Sequence, residues 1–416
     1  MVSQINKKMK TTIITILVCA FYYLGIAQEN DNLKVKGFVD TYHAVSVKES
    51  NDLMASRSRF RGELEKLNGN SYFFASVNAV YNGAMPELSK IQFREAYLEY
   101  TGKKWGIKAG RQIITWGKAD GLKITDVISP MDLTEFLAQD YDDIRMPVNG
   151  LVLSRFSKNW ELDLVCVPVF ESYILPGANN PWGFDYTDIG LVKDDALTPD
   201  FNLSNMEYGG KLSFYLSGID FEFSALNTWN KAPVYSYHIN DSSVAIHITP
   251  EHHRMGFVGF GFSKSLNAFI IRGESAFNFN KKFSPKPEYF HVGLLENNSF
   301  NYLLGIDWYP GGEWTVTGQF SDEYILDCCY HNASDEHTYI STLGITKKVL
   351  HSTLSLSTFG YFGLNECDFF NRTSADYSLS DNIHVLAGFD WFYGDSGMFG
   401  RYSDNSQVWL KAKFSF

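Results

Sequence analysis

From about residue 33 onward, apolar and polar residues alternate with period two, in segments of roughly ten residues separated by turn residues. Residues 57–65 show it best. Arg57, Arg59, Arg61, Glu63 and Glu65 fall on one face of a strand, and Ser58, Phe60, Gly62 and Leu64 on the other. Five charges in a row on one face cannot enter a dry core, and need not if that face lines water. Residues 407–416 repeat the pattern, with Val408, Leu410, Ala412, Phe414 and Phe416 opposite Trp409, Lys411, Lys413 and Ser415. The pattern predicts strands at residues 34–45, 57–65, 71–81, 91–100, 105–116, 147–156, 161–170, 208–216 and 221–230. It predicts nine more at 255–265, 269–278, 300–309, 314–324, 338–349, 353–363, 373–379, 383–393 and 407–416.

The connections alternate in length. Short ones such as Asn68-Gly69-Asn70, Gly102-Lys103-Lys104 and Pro310-Gly311-Gly312 are interleaved with long ones at 117–146, 171–206 and 231–254. A soluble β-sandwich has no reason for that rhythm, whereas short turns on one side of a membrane and long loops on the other produce it. The fold class is therefore all-β: a transmembrane antiparallel up-and-down β-barrel of about 18 strands, with 16 as the alternative, and with both termini on the periplasmic side.

The N-terminus carries an export signal. Lys7, Lys8 and Lys10 precede an almost wholly apolar stretch, residues 11–23, and Gly25-Ile26-Ala27 supplies small residues at the cleavage spacing. Residues 1–27 are read as signal peptide and 28–416 as a single barrel domain. A lipoprotein anchor at Cys19 is disfavoured because Val18 stands where a small residue is needed. No later stretch approaches the ~20 apolar residues of a membrane helix. Removing three lysines leaves 33 basic against 47 acidic residues, net −14, which opposes nucleic-acid binding. The 24 Tyr, 33 Phe and 9 Trp suit aromatic girdles at two membrane interfaces. Cys166, Cys328, Cys329 and Cys367 match no zinc spacing, and nothing supports a disulfide among the last three.

The third long loop holds the candidate chemistry. Ser129-Pro130-Met131-Asp132 reads as a helix start, with Ser129 as cap and Pro130 in the first turn, so the loop is expected to carry a short helix and fold into the lumen. Its acids, Asp120, Asp126, Asp132, Glu135, Asp140, Asp142 and Asp143, face a wall offering Arg57, Arg59 and Arg61, with Arg94, Lys108 and Arg111 as further candidates. The facing of Arg94 and Arg111 is open, because Glu95 and Gln112 alternate with them. Opposed charges across a waist create a field that orients and selects solutes; the same charges as plain salt bridges would only pin the loop. In the fourth loop Tyr173, Pro181, Trp182, Phe184 and Tyr186 read as a packed aromatic cluster rather than a sugar-stacking platform.

Gly110-Arg111-Gln112 with Trp116-Gly117, followed by Asp126-Val127-Ile128-Ser129-Pro130-Met131-Asp132, resembles a widespread group of porin-like outer-membrane barrels of Gram-negative bacteria known as a domain of unknown function. The Arg57/Arg59/Arg61 strand and Arg94-Glu95-Ala96-Tyr97 fit the same pattern. The resemblance implies a channel similar in outline to alginate-export and substrate-specific porins, without naming the solute. It also implies that the terminal strand, through Trp409, Phe414 and Phe416, is read by the outer-membrane assembly machinery.

The expected function is passive, selective diffusion of small polar or charged solutes across the outer membrane, with pore-lining candidates Arg57, Arg59, Arg61, Arg111, Asp126, Asp132, Glu135, Asp142 and Asp143. No cofactor and no metal are expected; trimer and monomer are both compatible. The alternatives are a surface-binding or adhesion barrel and a barrel hydrolase. His238, His247, His252, His253, His331 and His337 are the imidazoles an enzyme would draw on, but no serine sits in a nucleophile motif.

Overall fold

A computed structural model describes residues 33–48, 52–239 and 245–416, without the side chains of Asp142, Asp188 and Ile189; the signal segment lies outside the described residues. The wall begins with β1 (Leu33–Ser46), β2 (Leu53–Asn68), β3 (Ser71–Asn82), β4 (Lys90–Thr101), β5 (Trp105–Gln112), β6 (Val148–Phe156) and β7 (Trp160–Val167). A long loop carrying the short β8 (Leu191–Lys193) leads to β9 (Glu207–Leu216) and β10 (Ile219–Trp229). The hairpin of β11 (Val234–Ile239) and β12 (Ile246–Glu251) follows. The wall resumes with β13 (Arg254–Leu266), β14 (Phe269–Phe283), β15 (Leu295–Gly311), β16 (Trp314–Ile325) and β17 (His337–Val349). It ends with β18 (Leu354–Gly363), β19 (Asp368–Ser380), β20 (Ile383–Tyr393) and β21 (Gln407–Ser415).

All eighteen expected strands occur, in one antiparallel sheet, so the 16-stranded alternative falls. β21 pairs with β1 from Phe38↔Ser415 to Ser46↔Gln407, which closes the barrel and leaves no unpaired wall edge. β8, β11 and β12 form a separate three-stranded sheet.

Alternation decides what faces where. In β15, Phe300, Leu304, Ile306 and Trp308 are exposed outward while Ser299, Leu303 and Asp307 are buried inward. Exposed Tyr100, Trp105, Trp308, Trp314 and Tyr377 sit near the short-turn rim, and Tyr208, Trp391 and Tyr393 near the long-loop rim. An apolar band between two aromatic girdles is the outer surface that lipid requires. In β21, Val408 and Leu410 point out and Trp409 and Lys411 are buried inside, as the sequence indicates.

Two irregularities in the wall aim side chains into the lumen. Where β3 pairs with β4 the register skips Arg94, so that Ser76 opposes Glu95 and Val77 opposes Phe93. This bulge turns Arg94 and Glu95 both inward, resolving the facing that simple alternation leaves open. At Gly110 φ is +131°, and a Cβ there would stand 2.3 Å from the Ala96 carbonyl oxygen. Only glycine fits, and β5 ends two residues later at Gln112 rather than running on to Trp116. The chain then leaves the wall and enters the lumen.

Candidate functional site: the third loop against an arginine ladder

Residues 113–147, the third long loop, cross the barrel and touch its wall on several sides. The loop leaves β5 with the Ile113 amide donating to Glu95 Oε1 at 3.0 Å. Ile114, Trp116, Ala119, Ile124 and Ile128 then bury against inward-facing Val148, Val165, Leu226, Phe257, Ala276 and Leu303. Burying apolar surface at ~25 cal/mol per Å² holds this segment to the wall.

Its far side is fixed by one carboxylate. Glu274 of β14, only 4% exposed, accepts hydrogen bonds from the backbone amides of Lys118, Ala119 (2.7 Å) and Thr125 (3.0 Å) and from the Thr125 hydroxyl (2.7 Å). Four donors satisfy a buried carboxylate that would otherwise be costly to hold there. Nearby, the Gln319 side chain and the Asp120 backbone exchange bonds of 2.9 and 2.8 Å. Arg272 Nη1 donates to the Lys118 carbonyl at 2.9 Å, and the Tyr361 hydroxyl donates to that of Gly121 at 3.2 Å.

The expected helix at Ser129 does not form. The Ser129 hydroxyl instead accepts from the Ile114 amide (2.9 Å) and donates to the Ile114 carbonyl (3.0 Å), tying the start of the loop to its middle. Asp132 closes a turn by accepting from the Thr134 amide and hydroxyl, and Phe136 follows at φ +47°, which a helix cannot accommodate. The loop's helix is a single turn further on, α1 (Tyr141–Ile144), preceded by Asp140.

That turn returns the loop to the wall where the arginines stand. Arg57 pairs with Glu135 at 2.5 Å. Arg59 bridges Asp40 of β1 (2.5 Å) and Asp143 (2.6 Å), and Arg61 reaches the other oxygen of Asp143 at 2.7 Å. Burial alone would raise the Asp143 carboxyl, but the guanidiniums of Arg59 and Arg61 outweigh it and hold it well below its ordinary 3.8. Lys411 of β21 clasps Asp140 at 2.5 Å. Removing one partner from the buried Arg57–Glu135 or Arg59–Asp143 pair costs roughly 3–5 kcal/mol, because the other charge is left unpaired; the pair with the half-exposed Asp140 is worth less.

The sequence-indicated residues thus separate into two groups. Arg57, Arg59, Arg61, Arg111, Asp132, Glu135 and Asp143 line one cavity of about 200 Å³, together with Lys90, Arg94 and Glu171. Six cationic side chains face four carboxylates there, a positive balance despite the acidic chain. Arg111 pairs with Glu171 of the fourth loop at 2.9 Å, and Lys90 stands 3.8 Å from Asp132. Asp126 is the exception. It is 2% exposed, accepts from the Trp116 amide at 3.3 Å and lies 3.3 Å from Arg145 Nε, so it braces the loop from within. The side chain of Asp142 lies outside the described residues.

A second cavity of about 620 Å³ lies below, between Asp140, Tyr141 and Arg145 of the loop and Thr317, Thr358 and Arg372 of the wall. Gln139 borders both cavities. Sequence reasoning missed the anchors Glu274, Arg272, Gln319 and Tyr361; the alternation of Arg272 with Glu274 was the one signal that both face inward.

The fourth loop's aromatics do not form the single packed cluster expected of them: Phe184 is exposed and, among the described residues, meets only Tyr186, at 5.1 Å, whereas Trp182 turns away into the assembly. Trp182, 2% exposed, lies 5.3 Å from Phe392, 5.6 Å from Tyr402 and 6.5 Å from Phe136 of the third loop. Each such ring pair adds about 0.5–1.5 kcal/mol beyond its buried area. The four described cysteines are free.

Residues 86–358 match a family described as Protein of unknown function (DUF1302). Among solved structures, the barrel is similar to Pseudomonas aeruginosa OccK11 (OpdR) at TM-score 0.52 and 9% identity, over 92% of this chain and 96% of that one. The outer membrane channel DcaP of Acinetobacter baumannii aligns at TM-score 0.47 and 10% identity, over 92% and 97%. A mutant of Rh. blastica porin aligns at 0.45 and 11%, over 92% and 100%. No curated protein matches the chain.

Proposed function

The chain belongs to the family described as Protein of unknown function (DUF1302), and from the closed barrel and its charged interior we propose an outer-membrane channel for passive diffusion of small polar solutes, with anions preferred. The observation that carries the reading is the cavity between the third loop and the arginine ladder, where Arg57, Arg59, Arg61, Lys90, Arg94 and Arg111 outnumber Asp132, Glu135, Asp143 and Glu171. Between loop and wall, charge is less well screened than in bulk water, so a small excess of positive charge acts strongly on a passing ion. The carboxylates make the preference selective rather than absolute, because an entering anion exchanges places with Glu135 or Asp143 as a partner for the same guanidiniums. Binding that is favourable but replaceable is what permits passage.

Liposome swelling tests this. Solutes of equal size that are neutral, singly anionic and singly cationic are compared for the wild type and for the combined Arg57→Ser, Arg59→Ser and Arg61→Ser variant. The expected order is anion, then neutral, then cation, with the order lost in the variant. Equal rates for anion and cation in the wild type would refute the anion preference.

A further inference from the structure

The three-stranded sheet of β8, β11 and β12 brings together a metal-ligating set that the channel reading does not use. His238 and His247 stand directly opposite each other in the β11–β12 register. Side chains so paired share one face of a sheet, with Cβ atoms roughly 5 Å apart. β8 pairs in parallel with β12, and the Asp194 amide donates to the Ile248 carbonyl at 3.0 Å, setting Asp194 beside the two imidazoles.

The donor atoms converge. Asp194 Oδ1 lies 2.9 Å from His247 Nδ1, and Oδ2 lies 3.5 Å from His238 Nε2. One ligand atom from each of the three residues fits within a span of 4.8 Å. In a tetrahedral zinc site, with bonds near 2.1 Å, ligand atoms stand about 3.4 Å apart. The imidazoles stack with centroids 5.4 Å apart and planes at 28°, and each turns one ring nitrogen to the Asp194 carboxylate. The Thr249 hydroxyl donates to Asp194 Oδ2 at 3.0 Å, orienting the carboxylate as a supporting hydrogen bond does in metal sites. The other loop-five imidazoles are used differently: His252 Nδ1 meets the Asn230 carbonyl at 3.0 Å, and His253 pairs with Glu251 at 2.9 Å.

We infer that His238, His247 and Asp194 form a surface site for a divalent transition metal, Zn²⁺ in the first instance, with water completing the coordination. Two imidazoles and one carboxylate are a borderline-hard donor set that suits Zn²⁺ and excludes the hard Ca²⁺ and Mg²⁺, which need more oxygen ligands. Asp194 belongs to the fourth loop and both histidines to the fifth, so the bound ion clasps the two loops together at the long-loop rim. Neither the sequence spacing nor any local motif signals this site, because 44 residues separate Asp194 from His238.

The test uses the full mature barrel in detergent, carrying no polyhistidine tag, titrated with Zn²⁺ by calorimetry and with Co²⁺ by visible absorption. The expected result is one saturable site per chain, tetrahedral Co²⁺ bands, and loss of both in the His238→Ala, His247→Ala double variant. Thr249→Val is expected to weaken binding about 10- to 100-fold, and His253→Ala to leave it unchanged. Heat-modifiable migration in gels verifies that each variant keeps its barrel. Absence of stoichiometric Zn²⁺ binding by the wild type, or equal binding by the folded double variant, would overturn the inference.

Discussion

Individual residues show how much of the site depends on contacts remote in sequence. Arg57, Arg59 and Arg61 are legible from alternation alone as one inward face, although the structure holds them in largely buried ion pairs rather than in open water. Glu274 is not: its hydrogen-bond partners Lys118, Ala119 and Thr125 lie between 149 and 156 residues away. Nothing local marks an inward acid as an anchor rather than a pore-lining group. Asp126 errs in the opposite direction, read as a lumen acid and buried in fact within the loop it belongs to. Glu274→Ala would leave three backbone amides and one hydroxyl without their acceptor, at about 1–3 kcal/mol for each donor that stays buried. The barrel wall is expected to survive, since its ladders are untouched, while the third loop loosens. Single-channel recordings should show larger and noisier conductance; a steady wild-type level would mean that the apolar contacts of Ile114 and Trp116 hold the loop unaided.

At the scale of elements, period-two patterning finds the strands because each must show one face to lipid and one to the interior. It misplaces features where the backbone departs from that period. β5 is expected to reach Trp116, but Gly110 and the exit at Gln112 end it sooner. The third loop's helix is expected at Ser129, whose hydroxyl is already engaged by Ile114 in the fold. Capping preference describes a local competition, and here a tertiary contact wins it. Gly110→Ala follows from the same geometry. It places a Cβ against the Ala96 carbonyl and imposes a disfavoured φ, so it should cost more than the roughly 1 kcal/mol of an ordinary left-handed strain. Guanidinium unfolding of the refolded barrel measures this; a midpoint equal to wild type would show that β4 and β5 can separate without loss.

For the molecule as a whole, a closed antiparallel wall of eighteen strands encloses a lumen partitioned by its own third loop. Wall and loop are mutually dependent. The buried arginines need Glu135 and Asp143, and the loop needs Glu274, Gln319 and Lys411. The chain's net negative charge of −11 says nothing about the cavity beside the arginine ladder, where the balance is positive. In the proposed channel, selectivity would follow from the charges nearest a passing ion, as field strength falls steeply with distance and screening. Anion preference imposed by the arginine ladder is measured by reversal potential across a planar bilayer under a KCl gradient. The expected result is discrete conductance with a reversal potential displaced toward that of chloride, and a shift toward potassium in the variant combining Arg57→Ser, Arg59→Ser and Arg61→Ser. A wild-type reversal potential on the potassium side, or one that the triple substitution leaves in place in a folded barrel, would contradict it.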